Sequence, residues 1–328
     1  MVLLPPELQS HLRPPPEHAF SRNDPDDPRL GELIYRGHAP EGRTPDVVLL
    51  GIPQDLGVQI NRGRPGAAEA PGAIRSALYR LTPNTGGEAG LEQLCIVDLG
   101  DIETQGKSLP DIHALQQQCV FALLQQSRCT IVLGGGHDIA YPNAAALFQH
   151  HECGILVFDA HPDVRPRRNG SPHSGSAFRQ LLEELGFPPY RLAYIGLQPF
   201  AVARAHYDYL HHRGVHVCPI AELRTRGMSA VLPALFDAVS NGGSLPVYAS
   251  FDLDVVPAAF APGVSAPATI GIPPEELLWA AQFLGSHAIV RLVDIAELNP
   301  RYDIDGRTAR LAAWLTASFL AGMLQRSL

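Results

Sequence analysis

Residues 154–163 read Gly-Ile-Leu-Val-Phe-Asp-Ala-His-Pro-Asp, a pattern typical of a parallel α/β sheet. Its apolar part, Gly154–Phe158, has no polar alternation, which predicts a β-strand that is covered on both faces. Asp159, His161 and Asp163 follow at every second position, so their side chains share one face of an extended chain. The stretch therefore predicts a buried strand of a parallel sheet with polar groups at its carboxyl end.

The rest of the chain repeats this pattern. Seven further apolar runs predict strands: Val47–Leu50, Leu94–Val97, Thr130–Leu133, Leu192–Ile195, Val215–Cys218, Val247–Phe251 and Ile289–Val293. Segments of helical period lie between most of them or follow the last: Ala73–Leu81, Ile112–Gln126, Ser176–Leu185, Pro199–His212, Met228–Ser240, Pro274–Leu284 and Gly306–Leu324. Strands that alternate with helices predict an α/β protein with one eight-stranded, mostly parallel, doubly wound sheet.

The two parts of the chain differ in composition. Residues 1–45 are rich in proline and charge, as in the run Pro14-Pro15-Pro16, and predict an irregular N-terminal arm, with plain disorder as the alternative. Residues 46–328 contain no stretch that resembles a linker, and they predict a single domain. Ligands of such sheets bind at the carboxyl ends of the strands, so side chains that carry chemistry should follow strands.

Two more predicted strands end in possible metal ligands. Three glycines and then His137 follow Leu133, and the segment 250–254 reads Ser-Phe-Asp-Leu-Asp, with Asp252 and Asp254 two positions apart. Each motif has a plainer interpretation by itself. A glycine-rich run after a strand is often only a turn, and an Asp-x-Asp pair is often a helix cap or a ligand of one ion.

The three motifs together predict two metal ions at one edge of the sheet. Four aspartates buried without partners would cost too much free energy, so cations must compensate their charge. Oxygen ligands with some imidazole and no thiolate suit Mn²⁺ best, although Fe²⁺ or Zn²⁺ would also fit. Six ligands exceed the need of one catalytic ion and fit two ions that share carboxylates. The predicted ligands are His137, Asp159, His161, Asp163, Asp252 and Asp254.

The bulk properties exclude several classes of partner. A net charge of -8 argues against nucleic acid and against a membrane surface, since both are negatively charged. No apolar run is long enough to cross a bilayer, and the N-terminus has no signal-peptide pattern. The 5 cysteines form no CxxC pair, which favours buried free thiols and a cytoplasmic location.

From about Asp46 to the C-terminus, the chain resembles the ureohydrolases, the group that contains arginase, agmatinase and formimidoylglutamase. The resemblance rests on the GGGHD, DAHPD and SFDLD segments and on the glycine- and arginine-containing stretch Gly57–Arg75. It implies a three-layer αβα sandwich, a pair of Mn²⁺ ions held by the six predicted ligands, and a homo-oligomer, either a trimer or a hexamer.

The finer pattern is similar to the formimidoylglutamase branch. The segments that carry this similarity are DAHPDVRP, Ser174–Leu182, Asp252–Ala268 and Ala296–Ala313. The resemblance implies hydrolysis of N-formimidoyl-L-glutamate to L-glutamate and formamide, a step of histidine degradation. It implies that Asp163 relays a proton from the nucleophilic water to the leaving amine and that Glu297 holds the cationic nitrogen group of the substrate. A structural carboxylate at a helix N-terminus is the alternative for Glu297.

Five residues are candidates for substrate binding. Arg165 leads them, since a guanidinium fork suits a substrate carboxylate. The other four are Asn61, Arg64, Ser174 and Gly175. Ordinary surface contacts are the alternative for Arg165, Asn61 and Arg64, and Arg167 and Arg168 are interpreted as solvated loop charges.

The chain departs from the arginase and agmatinase pattern at two places. Val255-Val256-Pro257 replaces the usual Asp-Pro after the second aspartate pair, and Phe178 stands where those enzymes carry a proton-shuttle histidine. His173 precedes the Ser-Gly pair; a substitute for the proton shuttle is one interpretation, and an exposed loop residue is the favoured one.

Three other functions stay open at this point. The first is an amidinohydrolase that acts on a guanidino compound such as agmatine, arginine or guanidinobutyrate. The second is a non-catalytic metal-binding protein of the same fold. The third is a deacetylase with one Zn²⁺, which the two aspartate pairs disfavour.

Overall fold

A computed structural model describes residues 3–16 and 20–326, and these residues form one sheet with helices on both faces. The sheet has 10 strands, and its central strands are parallel. In chain order the strands are β1 (Leu12–Arg13), β2 (Tyr35–Arg36), β3 (Val47–Gly51), β4 (Ile96–Ile102), β5 (Cys129–Leu133), β6 (Gly154–Phe158), β7 (Leu192–Leu197), β8 (His216–Pro219), β9 (Val247–Asp252) and β10 (Val290–Ala296).

The strand order across the sheet is β1-β4-β3-β5-β10-β9-β6-β7-β8, and β2 also pairs with β4. Only the β1–β4 pair among these is antiparallel. The order places β5, β10, β9 and β6 side by side at the centre of the sheet, although β5 and β10 are far apart in the chain.

The helices cover both faces of the sheet. They are α1 (Pro6–Gln9), α2 (Leu30–Leu33), α3 (Leu56–Ile60), α4 (Ala70–Leu78), α5 (Leu109–Gln126), α6 (Ala140–His150), α7 (Ala177–Glu183), α8 (Arg204–Arg213), α9 (Ile220–Arg226), α10 (Met228–Ser240), α11 (Pro274–Ser286) and α12 (Arg307–Met323). Two hydrophobic clusters flank the sheet, because alternate residues of a strand point to opposite faces. Val47 and Leu49 lie in one cluster, and Val48 and Leu50 lie in the other. The fold is therefore the three-layer αβα sandwich that the sequence resemblance implies.

The sheet contains more strands than the eight that the sequence predicts. All eight predicted runs are strands, but β1 and β2 extend the sheet beyond β4. Each of these two strands has only 2 residues, too few to show any periodicity. The sequence also misses helix α6, which begins three residues after His137 without a loop that would separate it from the glycine run.

The N-terminal arm is less irregular than its composition predicts. It contributes α1, β1, α2 and β2, and β1 pairs with β4 through Leu12 and Ile102. Residues 1–2 and 17–19 of the predicted arm, and 327–328 of the predicted domain, lie outside the described residues. Division of the chain at residue 45 stays a prediction.

A buried arginine connects helix α4 to strand β4. The guanidinium of Arg75, only 1% exposed, donates to both carboxylate oxygens of Asp98, at 2.7 and 3.0 Å, and also to Asp101. Tyr79 donates to Asp98 as well, at 2.6 Å. These bonds fix α4 against the outer part of the sheet.

The described part of the chain holds no helix that is both long and apolar enough to cross a membrane. All five cysteines are buried and free. Burial raises the pKa of the Cys119 and Cys153 thiols to about 12, so both are protonated at neutral pH.

Candidate metal centre and active site

The predicted site residues meet at the carboxyl ends of four neighbouring strands. His137 follows β5, Glu297 follows β10, Asp252 ends β9, and Asp159 follows β6. The registers Leu133↔Ile295, Phe251↔Ile295 and Phe158↔Phe251 place these strand ends level with one another. The parallel sheet thus collects side chains that lie more than a hundred residues apart in sequence.

The glycine run brings His137 to this edge by close packing of the backbone. A Cβ atom on Gly135 would lie 1.7 Å from the carbonyl oxygen of Gln54, so only glycine fits there. None of the three glycines has a positive φ angle. The run is therefore needed for close approach and not for an unusual turn.

One group of possible ligands surrounds the His137 imidazole. Its Nδ1 atom lies 3.1 Å from Asp159 Oδ2, 3.1 Å from Asp163 Oδ2 and 3.3 Å from Asp252 Oδ2. A single ring nitrogen carries at most one hydrogen, which cannot serve three carboxylates. A cation placed among the four side chains would satisfy all of them.

Two residues of the sheet fix the orientation of this imidazole. Ser250 Oγ donates to Asp294 Oδ1 at 2.8 Å, so it accepts the hydrogen bond from His137 Nε2, which lies 2.9 Å away. The Nδ1 lone pair of His137 then faces the carboxylates, as a metal ligand requires. Asp294 is fully buried and accepts further hydrogen bonds from Tyr248 and Asn143. Sequence reasoning missed both Ser250 and Asp294, although a single acidic residue in the apolar strand β10 was a signal.

A second group contains Asp159, His161 and Asp254. His161 Nδ1 lies 2.9 Å from Asp254 Oδ2 and 3.6 Å from Asp159 Oδ1. The two groups share Asp159 and together contain all six predicted ligands. In each group the candidate ligand atoms lie within 4.8 Å of one another.

The electrostatics of the two groups fit cations. Asp159 Oδ2 and Asp254 Oδ1 are buried and accept no hydrogen bond from any of the residues that the structure describes. Burial, with Asp254 and Asp159 nearby, raises the pKa of Asp252 well above its usual range. The pKa of Asp254 is raised to about 6, mainly by burial. Unpaired carboxylate oxygens in so crowded a cluster are what a pair of divalent ions would neutralise.

Glu297 lies on the wall of the same pocket and is 3% exposed. Its Oε1 accepts from the backbone N–H of His137 at 2.8 Å, and its Oε2 accepts from the Ser265 hydroxyl. Burial and the charge of Asp252 raise the pKa of Glu297 to about 8. The two hydrogen bonds fix the plane of this carboxylate. Sequence reasoning did not select Ser265.

Three pocket residues other than glycine have a left-handed backbone. The φ angles are 45° at Asp163, 67° at Glu297 and 66° at Arg62. Such conformations cost free energy and persist where the surrounding structure enforces them. Their concentration around one cavity of about 370 Å³ marks this cavity as the functional site.

Four of the five predicted substrate-binding residues form one cluster at the rim of the cavity. Arg165 donates to Asn61 Oδ1 at 3.0 Å, and Asn61 donates to Ser174 Oγ at 3.0 Å. The backbone N–H of Arg165 donates to the Gly175 carbonyl at 2.8 Å. Arg165, Asn61 and Ser174 line the cavity directly.

The fifth predicted residue, Arg64, faces elsewhere. Its guanidinium donates to the carbonyl oxygens of Val264 and Ser265 and lies 4.2 Å from the ring centre of Tyr302. It does not line the cavity, whereas Arg62 and His206 do. Sequence reasoning missed Arg62, although it lies between two of the selected residues, and it missed His206 on α8.

Phe178 and His173 lie outside the cavity lining. Phe178 is buried, and its ring lies edge-on to that of His137, 5.5 Å away. The prediction that His173 is an exposed loop residue is wrong, because its side chain is buried. Its Nε2 donates to the Pro166 carbonyl at 3.0 Å, and its Nδ1 accepts from the Gly175 N–H at 3.1 Å. Both ring nitrogens are therefore occupied in holding the 166–175 loop.

Arg167 and Arg168 differ in their surroundings. Arg167 forms an exposed pair of hydrogen bonds with Glu184, each 2.6 Å long. Arg168 is partly buried and lies within 3.4 Å of the Ile60 carbonyl. Neither lines the cavity.

Comparison with known proteins agrees with the fold and gives the family. The model of the arginase family matches residues 45–322. The formimidoylglutamase of Hahella chejuensis is 38% identical over 313 residues, which cover 90% of this chain and 92% of the relative. The formiminoglutamase of Trypanosoma cruzi with Mn2+2 has a TM-score of 0.84 at 32% identity and covers 92% of this chain and 100% of its own. The formimidoylglutamase of Bacillus subtilis has a TM-score of 0.87 at 26% identity, with 96% and 97% covered.

A parallel sheet whose central strands end in one pocket of aspartates and histidines defines a class of α/β proteins built to hold metal ions. Within that class, the chain belongs to the arginase family. The family resemblance that the sequence motifs indicate is confirmed.

Proposed function

We propose that the protein is a hydrolase that cleaves the C–N bond of N-formimidoyl-L-glutamate and releases L-glutamate and formamide. One observation carries this proposal. A single cavity is lined by four of the six predicted metal ligands, by a buried carboxylate, Glu297, and by a guanidinium group, Arg165, at its rim. Such a cavity matches a substrate with an amidinium at one end and carboxylates at the other.

Two Mn²⁺ ions are the cofactors that we propose, with the six ligands named above. The donor set of oxygen and imidazole suits Mn²⁺, and the T. cruzi relative was crystallised with Mn2+2. When bound, such ions neutralise the aspartates, act as Lewis acids and lower the pKa of water, so that a nucleophile is available at neutral pH.

The residues of this chain bind and orient the amidine. The Glu297 carboxylate, which is fixed by the His137 N–H and by Ser265, faces the cavity and pairs with the planar amidinium. Burial excludes water from this pair and strengthens it. The formimidoyl carbon is thereby held over the aspartate cluster.

Asp163 moves the proton in this proposal. It lines the cavity, and its Oδ2 atom lies 3.1 Å from His137 Nδ1. The carboxylate accepts a proton from the attacking water and donates it to the nitrogen of the leaving glutamate. Protonation of that nitrogen lets it leave as a neutral amine, so the C–N bond can break.

Arg165 binds a carboxylate of the substrate at the rim. Its guanidinium is exposed, and the hydrogen bond to Asn61 leaves most of its N–H donors free. Its position is supported by the hydrogen bond between Asn61 and Ser174 and by the hydrogen bond from its own backbone N–H to the Gly175 carbonyl. Arg64 plays a different part, because it fixes the 264–265 segment that carries Ser265.

A substrate panel tests the function. The Mn²⁺-loaded protein is incubated with N-formimidoyl-L-glutamate, agmatine, L-arginine and 4-guanidinobutyrate, and formamide and urea are measured. We expect formamide from the first compound at a rate that far exceeds urea release from any guanidine. Urea release from a guanidine that is faster than formamide release would contradict the proposal.

We also propose that the enzyme works in the cytoplasm as a homo-oligomer. The five buried free cysteines support the location, and membership of the arginase family supports assembly. Sedimentation velocity of the Mn²⁺-loaded protein tests the oligomeric state, for which we expect a trimer or a hexamer.

A further inference from the structure

Arg62 has a fixed backbone beside the cavity. Its N–H donates to the Gln59 carbonyl at 3.0 Å, and the N–H of Gly63 donates to the Val58 carbonyl at 2.8 Å. The left-handed φ angle of 66° turns the chain at this residue. The 58–63 turn thus presents the Arg62 side chain from a defined position.

The guanidinium of Arg62 is free of hydrogen bonds and ion pairs with the described residues. It is exposed and lines the cavity, and it makes no hydrogen bond or ion pair with any described residue. The two neighbouring arginines differ in this respect. Arg165 is bonded to Asn61, and Arg64 is bonded to two backbone carbonyls. Within the part of the chain that the structure describes, Arg62 is therefore a cation without a partner on the wall of the cavity.

The negatively charged groups of the cavity lie deeper than its guanidinium groups. The aspartate cluster and Glu297 are largely buried, whereas the cationic groups on the wall, Arg62 and Arg165, are exposed. One guanidinium fork engages one carboxylate, so two forks match a ligand with two carboxylates.

We propose that Arg62 is a specificity residue that binds the carboxylate of the substrate that Arg165 leaves free. The inference rests on the proposed function, and it restricts the substrates to amidines of dicarboxylic amino acids. A monocarboxylate would leave one of the two guanidinium groups without its partner.

The test compares Arg62→Gln with the unaltered protein on three substrates. N-Formimidoyl-L-glutamate has both carboxylates, N-formimidoyl-L-glutamine lacks the side-chain carboxylate, and N-formimidoyl-4-aminobutyrate lacks the α-carboxylate. We expect R62Q to lower kcat/KM for the dicarboxylate by about 10- to 100-fold, mainly through KM. We expect a loss below about threefold for the one monocarboxylate that lacks the group bound by Arg62. R165Q should spare the other monocarboxylate.

Two further variants sharpen the result. Arg62→Lys keeps the charge and removes the fork, so its loss should be intermediate. Arg224→Gln is the matched control, because Arg224 on α9 is also exposed and without a partner among the described residues, yet it does not line this cavity. It should leave all three rates unchanged. Equal losses of R62Q on all three substrates, or no loss on the dicarboxylate, would overturn the inference.

Calorimetry separates this inference from the proposed function. Binding of L-glutamate and of L-glutamine, and of 4-aminobutyrate, to the Mn²⁺-loaded protein is measured without turnover. We expect R62Q to weaken L-glutamate binding about 10-fold or more and to abolish its preference over one of the two other ligands. If the unaltered protein releases no formamide, the proposed function fails, while this preference still tests Arg62. Equal binding of L-glutamate by R62Q and by the unaltered protein refutes the role of Arg62.

Discussion

At the scale of single residues, Asp163 combines an unusual backbone with a central position. It lies at the edge of the cavity, its φ angle is 45°, and its carboxylate contacts the His137 ring. Aspartate and asparagine tolerate this conformation better than alanine does. Asp163→Asn is therefore a cleaner test of the carboxylate than Asp163→Ala, since it keeps the shape and the backbone.

We expect Asp163→Asn to reduce kcat for formamide release by about 10³-fold or more, because it removes both the proton acceptor and a metal ligand. Circular dichroism and the melting profile of the metal-free protein should change little. The matched control is Asp305→Asn, because Asp305 also has a positive φ angle, 55°, but is exposed and does not line the cavity. Retention of most of the activity by D163N would argue against its proposed role.

The contact of Ser250 with His137 leads to a second prediction. Ser250→Ala removes the group that accepts the Nε2 hydrogen bond and that connects the imidazole to Asp294. We expect Mn²⁺ affinity, measured by calorimetry, to fall by about 10- to 100-fold, since loss of such supporting contacts loosens a ligand. Ser240→Ala, a buried serine in α10, is the control and should not affect Mn²⁺ affinity. Unchanged affinity of S250A would show that the ring is held by packing alone.

The sequence indicated part of the site because some of its residues stand next to strand ends. His137, Asp159 and Asp252 could be found in this way, and His161, Asp163 and Asp254 follow by spacing. Arg62 and Arg64 could not be distinguished, because the direction of the Arg64 side chain depends on its hydrogen bonds to the 264–265 segment, about two hundred residues away. Motif reading gives the ligands of a site more readily than its rim.

At the scale of elements, the attachment of α4 to β4 depends on one buried charge. Arg75 is 1% exposed and compensates Asp98 and Asp101. Removal of one partner of a buried ion pair leaves an uncompensated charge in a medium of low dielectric constant. The cost should be much larger than for an exposed pair.

We expect Arg75→Ala to lower the free energy of unfolding by about 3–5 kcal/mol. Arg226→Ala should lower it by less than about 1 kcal/mol, because Arg226 and Glu222 form an exposed pair, with side chains 49% and 42% accessible. Urea denaturation of the metal-free proteins measures both. Similar losses for the two variants would mean that burial of Arg75 contributes little.

The elements themselves could be predicted well where they are long. Gly154–Phe158 and Met228–Ser240 have the same bounds in the structure as in the sequence pattern. Strands β1 and β2 could not be predicted, because a two-residue strand is defined by its partner β4 and not by its own periodicity. Helix α6 could not be predicted either, because it begins only three residues after His137 and no loop separates it from the glycine run.

For the molecule as a whole, the buried carboxyl groups of the site make the stability of the metal-free protein depend on pH. In the metal-free protein the pKa of Glu297 is about 8, above its ordinary value of 4.5, and that of Asp254 is about 6. Between the ordinary carboxyl pKa and the raised pKa values, the folded state therefore binds more protons than the unfolded chain. The stability that these two carboxyl groups contribute is therefore fully present below the ordinary carboxyl pKa, and it is lost as the pH rises through the two raised pKa values.

We expect the Tm of the metal-free protein to fall between pH 6 and pH 8. Saturating Mn²⁺ should raise Tm at both pH values and should do so more at pH 8. An ion at 100 times its Kd stabilises the folded state by about 2.7 kcal/mol per site. Scanning fluorimetry with EDTA-treated and Mn²⁺-loaded protein measures this. Glu297→Gln should reduce the pH dependence of the metal-free form, and an equal gain from Mn²⁺ at both pH values would contradict the argument.

The strand order at the centre of the sheet has a consequence for biosynthesis. His137 precedes Glu297 by 160 residues, yet their strands, β5 and β10, are direct neighbours. A ribosome must release almost the entire chain before β10 can insert between β5 and β9. The site that is proposed to bind the ions can thus form only near the end of translation. Manganese is therefore expected to bind the completed chain and not the nascent chain.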